Sequence, residues 1–306
     1  MKIGIIGAGA MGCLYACMLC GKNEVTLLDI DKNTVDTVNC DGIFMKEKDG
    51  ADEKNFKVKA KISGEASGKF DLLIVFVKDT ATRVALKGNQ SLISSDTVLL
   101  SLQNGLGNFE IMRDFAGEDQ ILLGTTKHNC VTLGSGKIYH SGAGVTHIGS
   151  PSGNAAAAQK IAEVFCQSGI EAVECDDVKR LLWEKLFINM TVNSVTALLD
   201  APIRVIAEDG CVREVVANLL AEAVAVARKD GADFDYDAVY RDVMNTATVL
   251  GTGKASMCQD IENKRKTEID FINGAVVRLG KQYGIETPYH AMITALIHAK
   301  EGLYSR

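Results

Sequence analysis

Lys2-Ile3-Gly4-Ile5-Ile6-Gly7-Ala8-Gly9-Ala10-Met11-Gly12 opens the chain, and Val25-Thr26-Leu27-Leu28-Asp29 follows after a short apolar segment. The run of apolar residues at 3–6 predicts a strand, the segment 10–21 a helix, and 25–29 a second strand. Gly7, Gly9 and Gly12 form a GxGxxG at the turn between the first strand and the helix. The chain holds 29 Gly in 306 residues, so the bare string carries little weight. Its position gives it meaning. The first glycine permits a tight turn, the second lets backbone approach a pyrophosphate, and the third allows close helix–strand packing. Ala10 and Met11 begin a helix whose N-terminal N–H groups and positive dipole end suit phosphate. A strand–helix turn with no ligand is the plain structural alternative.

Outward from that turn, residues 70–77 and 98–102 read as further strands, the former nearly all apolar, as a strand covered on both faces should be. The segment 121–149, richer in Thr, Gly and His, is expected to close the sheet with irregular or antiparallel strands. A helix at 155–168 and a strand at 170–174 follow. Alternating elements of this kind predict an α/β domain built on a parallel, doubly wound sheet. After Cys175 strand signals stop and helices are expected at 177–199, 212–229, 236–249, 259–283 and 289–299. Gly231 and Gly284 stand where helices should end. The expected division is residues 1–175 for the sheet domain and 176–306 for an all-helical one.

Hydrophobic residues make up 47% and charged residues 24%, the balance of a globular protein, and only three prolines occur. The net charge is −6 with no block of basic residues, which argues against nucleic acid or an anionic membrane surface as a partner. The apolar run at 72–77 is far too short to span a bilayer. No signal-peptide pattern precedes the first strand, so the expected compartment is the cytoplasm. Of nine cysteines, Cys13, Cys17 and Cys20 cluster at helical spacing on an apolar segment. They read as small buried hydrophobes, because no CxxC pair or Cys/His cluster completes a metal site.

Asp29 ends the second strand, where a carboxylate can accept hydrogen bonds from both hydroxyls of an adenosine ribose and repel a 2′-phosphate. This leans the cofactor reading toward NAD over NADP, although Lys32 lies close by. Lys78 and Asn104 each follow a strand at the C-terminal edge of the sheet, where ligands of open α/β sheets bind. Lys78 suits a cofactor phosphate and Asn104 the nicotinamide, with a solvated turn the equal alternative for both.

The segment 181–193 is apolar almost all round, yet Lys185, Asn189 and Asn193 recur at i, i+4 and i+8, one stripe of an α-helix. Buried polar side chains need partners. A stripe facing a cleft and satisfied by a polar substrate is one solution; a stripe facing solvent or another helix is the other. A lysine ammonium can deliver the proton that a ketone oxygen takes up as hydride reaches carbon. Ser256 and Glu268 lie where a loop enters a helical pattern, and pattern alone makes Glu268 an exposed helical carboxylate.

The whole chain resembles the ketopantoate reductase (2-dehydropantoate 2-reductase) family. The resemblance rests on GAGAMG at 7–12, Val77-Lys78, LQNG at 102–105, GTTKH at 124–128 and GVTHIG at 144–149. It continues through WEKLFINMTVNSVTAL at 183–198, SMCQDI at 256–261 and TEIDFINGAV at 267–276. It implies a Rossmann domain joined to a helical domain and reduction of 2-dehydropantoate to pantoate, a step toward pantothenate, with NAD(P)H. It further implies Lys185 as general acid, Asn189 and Asn193 as ligands of substrate oxygens and Ser256 as a contact to the substrate carboxylate. Glu268 would bind substrate hydroxyl and order the site, Asn104 would lie at the junction of cofactor and substrate, and Lys78 near the cofactor. A homodimer follows only by analogy. Two departures stand out. Asp29-Ile30-Asp31 replaces the basic residue that NADP-using members carry after the second strand, and Gly253 stands where many members have Asn. Both keep open an NAD-dependent D-2-hydroxy acid dehydrogenase acting on another branched or aromatic 2-oxo acid. A non-catalytic dinucleotide-binding protein is the third reading, against which the lysine and two asparagines speak.

Overall fold

The structure, a computed structural model, describes residues 1–48 and 52–305. Twelve strands are found among them: β1 (Lys2–Ile6), β2 (Glu24–Asp29), β3 (Ile43–Glu47), β4 (Lys54–Phe56), β5 (Lys59–Ile62), β6 (Leu72–Val75), β7 (Val98–Ser101), β8 (Ile121–Thr126), β9 (Asn129–Gly134), β10 (Lys137–Gly142), β11 (Thr146–Gly149) and β12 (Ala172–Glu174). The accompanying helices are α1 (Ala10–Leu19), α2 (Lys32–Asp41), α3 (Thr82–Gly88), α4 (Asn108–Met112) and α5 (Ala155–Gln167). Eight strands form one sheet in the order β12-β11-β8-β7-β6-β1-β2-β5, parallel throughout except where β11 runs against β8. The order steps outward from β1 in both directions, as in a doubly wound sheet. Leu72–Val75 is buried at every position, as a central strand with helices on both faces requires.

The segment 121–149 does more than close this sheet. Regular β8 and β11 join it, while the β9–β10 hairpin leaves to form a second sheet, β4-β3-β10-β9, in which β10 pairs parallel with β3. A partly buried chain of side chains lies on that sheet: Glu47 Oε2 lies 2.8 Å from His140 Nδ1, and His140 Nε2 lies 3.1 Å from Nδ1 of His128, just ahead of β9. Cys13 and Cys17 are buried in α1 against this region, and burial pushes the Cys13 thiol up to about 12, so it stays protonated.

The chain divides into two compact units. One holds Met1–Gln103 and Asn108–Val178; the other holds Lys179–Arg306 together with the tetrapeptide Asn104–Gly107. The second unit is helical. It runs from α6 (Val178–Ile188) through a π turn (Asn189–Asn193) into α7 (Ser194–Leu199), then α8 (Val205–Glu208), α9 (Gly210–Lys229), α10 (Tyr236–Leu250), α11 (Ser256–Glu262), α12 (Asn273–Tyr283) and α13 (Pro288–Glu301). Its core gathers Trp183, Phe187, Met190, Leu219, Val243 and Ile293. Gly231 and Gly284 take left-handed φ values where α9 and α12 end, as their positions required.

Two helical expectations need correction. The helix expected over 177–199 is not one α-helix, because the π turn interrupts it. The helix expected over 259–283 breaks after α11 and resumes only at Asn273. Lys264 adopts φ +52° there, Lys264 N–H donates to Ile261 O, and Arg265 N–H donates to Asp260 O. This pair of bonds is a Schellman stop, and a lysine in place of glycine left no signal of it in the sequence.

Candidate active site

In the sheet unit, Gly7 has φ +106°, a left-handed conformation that a side chain disfavours. A Cβ on Gly12 would lie 1.8 Å from the Gly7 carbonyl oxygen, so the third glycine is required by helix–strand packing. Gly9 differs from both. Its backbone is extended, and a Cβ built on it meets no atom within 4 Å. The space over Gly9 is therefore open, and α1 starts there without a side-chain cap or an acidic residue in its first turn. Ala10 and Met11 form that first turn. An N-terminus left uncapped beside open space fits the pyrophosphate of a dinucleotide.

Asp29, at the end of β2, reaches back to this turn. Its Oδ2 accepts from Ala8 N–H at 2.6 Å and its Oδ1 from Asp31 N–H at 2.9 Å. Each carboxylate oxygen retains a lone pair for a ribose hydroxyl. Ile30, next to it, is 85% exposed and offers an apolar face beside the carboxylate, a feature the sequence reading did not single out. Asp31 caps α2 through Asn33 N–H and Thr34 N–H, so its charge is committed to the helix start.

Lys78 is exposed just past β6. Its surroundings are set by buried polar residues that the sequence reading missed. Gln103 Nε2 donates to Val77 O at 2.7 Å and to Thr82 Oγ1 at 2.8 Å, while its Oε1 accepts from Ser101 Oγ at 2.9 Å. Asn108 Nδ2 donates to Asp79 Oδ1 at 2.9 Å. The visible signal was a run of polar residues directly after apolar strands, but nothing in one sequence says that such residues turn inward.

The helical unit assembles the other candidates in two hydrogen-bonded groups. Asn193, 8% exposed, places its Nδ2 3.3 Å from Asn189 Oδ1 and 3.4 Å from Ser256 Oγ. Ser256 itself is exposed at the first residue of α11. Asn189 Nδ2 is buried and has no hydrogen-bond partner among the described residues. A buried donor left unmet costs about 1–3 kcal/mol. Lys185 is half-buried in the last turn of α6, one turn before Asn189. The second group joins Asn104 to Glu268: Asn104 Nδ2 lies 3.5 Å from Glu268 Oε2. Glu268 is 8% exposed, so the pattern-based view of it as an exposed helical carboxylate is corrected. It lies in the irregular stretch after the Lys264 stop, ahead of α12. The tetrapeptide Asn104–Gly107 is seated firmly here, with Leu106 N–H donating to Phe271 O at 2.8 Å and Gly105 approaching so closely that a Cβ would lie 2.3 Å from the Phe271 oxygen. Among the described residues no cluster of metal-ligating side chains occurs and no helix is long and apolar enough to cross a membrane.

Comparison with known proteins agrees with both halves. Residues 3–153 match the family described as ketopantoate reductase PanE/ApbA, and residues 177–301 match its C-terminal domain. A 2-dehydropantoate 2-reductase of Streptococcus pyogenes serotype M3 is 33% identical, with 99% of each chain covered. Among solved structures, a D-mandelate dehydrogenase with NADH and anilino(oxo)acetate superposes with a TM-score of 0.94 at 32% identity over 100% of both chains. A putative 2-dehydropantoate 2-reductase of Enterococcus faecalis superposes with a TM-score of 0.80, also at 32% identity, over 99% of each chain. A glycine turn open over Gly9, an amide pair beside a serine, and matches that span nearly the whole length lead to one assignment. The chain belongs to the ketopantoate reductase family, as an NAD(P)-dependent oxidoreductase acting on a CH–OH group.

Proposed function

We propose that the protein reduces 2-dehydropantoate to (R)-pantoate, with Lys185 as the proton donor. The observation that carries this reading is the buried, unpartnered Nδ2 of Asn189 beside the Asn193–Ser256 pair. A 2-oxo acid has the acceptor oxygens that such donors lack. Asn189 and Asn193 hold the carbonyl and hydroxyl oxygens, and the Ser256 hydroxyl meets the carboxylate. Glu268, oriented by Asn104, accepts from the substrate hydroxyl. Lys185 protonates the ketone oxygen as its carbon is reduced.

The residues of the glycine turn fit a nicotinamide dinucleotide: Gly9 leaves room for the pyrophosphate, the first turn of α1 meets its charge, and Asp29 holds the adenosine ribose. Bound there, the reduced cofactor supplies the hydride. Asp29 favours NADH over NADPH, since its carboxylate repels a 2′-phosphate. Lys78 serves the cofactor from the end of β6.

A second reading has support of its own. Gly253 stands where many family members carry an asparagine, and the mandelate dehydrogenase with NADH is similar over its whole length. On this reading the enzyme is an NAD-dependent D-2-hydroxy acid dehydrogenase for another branched or aromatic 2-oxo acid. Steady-state rates for both cofactors against a panel of 2-oxo acids separate the two. A tenfold or greater preference in kcat/KM for an acid other than 2-dehydropantoate removes the first reading.

A further inference from the structure

A π turn moves each backbone N–H one residue further along than in an α-helix, and such turns are rare and frequently found at functional sites. The one here contains both asparagines, Asn189 and Asn193, at its two ends. Inside it, the carbonyl of Met190 accepts from two side chains, Ser194 Oγ at 2.5 Å and Asn273 Nδ2 at 3.0 Å. Asn273 comes from the first residue of α12 and is completely buried.

The orientation of that amide is determined by a further residue. Asn273 Nδ2 also lies 3.2 Å from His290 Nδ1, and His290 Nε2 lies 2.9 Å from Leu219 O. A carbonyl only accepts, so Nε2 carries the imidazole proton and Nδ1 presents its lone pair to the amide. Burial keeps the ring neutral, with its pKa pulled down to about 4. Both N–H bonds of Asn273 are thus used, one toward α13 and one toward the π turn. Its Oδ1, by contrast, is buried without a partner among the described residues. Apolar side chains at both 273 and 290 would leave no unmet polar group on this pair. A buried asparagine is therefore a poor choice for stability alone.

We propose that Asn273, oriented by His290, is a positioning residue: it holds the Met190 carbonyl so that the π turn persists and sets the spacing of Asn189 and Asn193. The proposal rests on the reading of those two asparagines as ligands of the substrate. It adds two residues to the machinery that touch neither substrate nor cofactor. The path runs from the α9 carbonyl of Leu219 through His290 to Asn273, whose Nδ2 donates both to His290 Nδ1 and to the Met190 carbonyl of the turn.

The test uses the full-length enzyme and three variants, Asn273→Leu, His290→Leu and His290→Gln. The first two remove the donor or the acceptor, whereas glutamine supplies one of each. Three quantities are measured: hydrogen–deuterium exchange of the peptide covering residues 188–195, kcat and KM with 2-dehydropantoate and other 2-oxo acids, and the Kd for NADH. Asn273→Leu and His290→Leu are expected to speed exchange in that peptide and lower kcat/KM for the 2-oxo acid about tenfold or more, with the NADH Kd within about twofold. His290→Gln is expected to recover most of the loss. A folded Asn273→Leu enzyme with unchanged exchange and kcat/KM overturns the proposal, and so does a loss that falls equally on NADH binding. If Asn273→Leu fails to fold, equal activities of the two His290 variants overturn it. Should the wild type turn over no 2-oxo acid, the functional reading fails, and the exchange data alone still decide whether Asn273 holds the turn.

Discussion

Asn104 and Glu268, 164 positions apart in sequence, meet at 3.5 Å through Nδ2 and Oε2. The contact links the carboxylate to the Asn104 amide. Glu268→Gln keeps an acceptor oxygen for Asn104 but removes the charge, whereas Glu268→Ala removes both. We expect kcat/KM to fall about 10-fold in the first variant and about 10²-fold or more in the second. Steady-state kinetics on both variants check the order, and equal losses would mean that the charge alone matters.

Lys185→Ala should lower kcat at least about 10²-fold while the NADH Kd stays nearly constant, because a general acid acts on the reacting oxygen and not on the cofactor. Single-turnover rates and a fluorescence titration of NADH separate the two effects. Wild-type turnover in this variant excludes Lys185 from proton transfer.

Asp29→Ala removes the acceptor that holds Ala8 N–H as well as the proposed ribose contact. NADH affinity should weaken about tenfold or more, and NADPH affinity less. Titrations of both cofactors give the comparison. A wild-type enzyme that already prefers NADPH would reverse the assignment of cofactor.

Gly9 and Gly12 of the turn should respond differently to alanine. Gly9 is extended and its Cβ meets nothing within 4 Å, so Gly9→Ala should leave the Tm essentially unchanged yet weaken NADH binding about tenfold or more. Gly12→Ala drives a Cβ against the Gly7 carbonyl and should cost about 1–3 kcal/mol of stability. Thermal unfolding and NADH titration of the two variants distinguish a glycine kept for ligand from one kept for packing.

His290 should impose a pH dependence on folding. Burial lowers its pKa from the ordinary 6.5 to about 4 in the folded protein. Between those values the unfolded chain takes up a proton that the folded chain refuses. Its contribution is complete above pH 6.5 and is lost as pH falls toward 4, by about 3 kcal/mol in total. The Tm of wild type should therefore drop more steeply than that of His290→Gln between pH 6.5 and 4.

Where local chemistry and global packing coincide, the sequence was readable. β1, the glycine turn, α1 and β2 announce themselves because apolar runs, three glycines and a terminal aspartate each have one local use. Lys185, Asn189 and Asn193 stood out because polar residues on an apolar helix need an explanation. The π turn did not, since no residue type encodes it and its support comes from Asn273, on a helix distant in sequence. The stop at Lys264 was equally silent, because a lysine in the left-handed region looks like any lysine on a helix surface. Gln103 and Asn108 carry no signal of their own in the sequence, and only the fold turns them toward Val77 and Asp79.

The tetrapeptide Asn104–Gly107 belongs with the helical unit although the residues on both sides of it belong with the sheet unit. The polypeptide therefore passes between the units three times, after Gln103, after Gly107 and after Val178. Neither half can be excised by a single cut. A fragment ending at 178 would carry the tetrapeptide away from Phe271, and one starting at 179 would leave Glu268 without Asn104. Cleaving the 178–179 bond should leave two pieces that remain associated under native conditions, and their mixing as separately expressed fragments should restore reductase activity that neither shows alone.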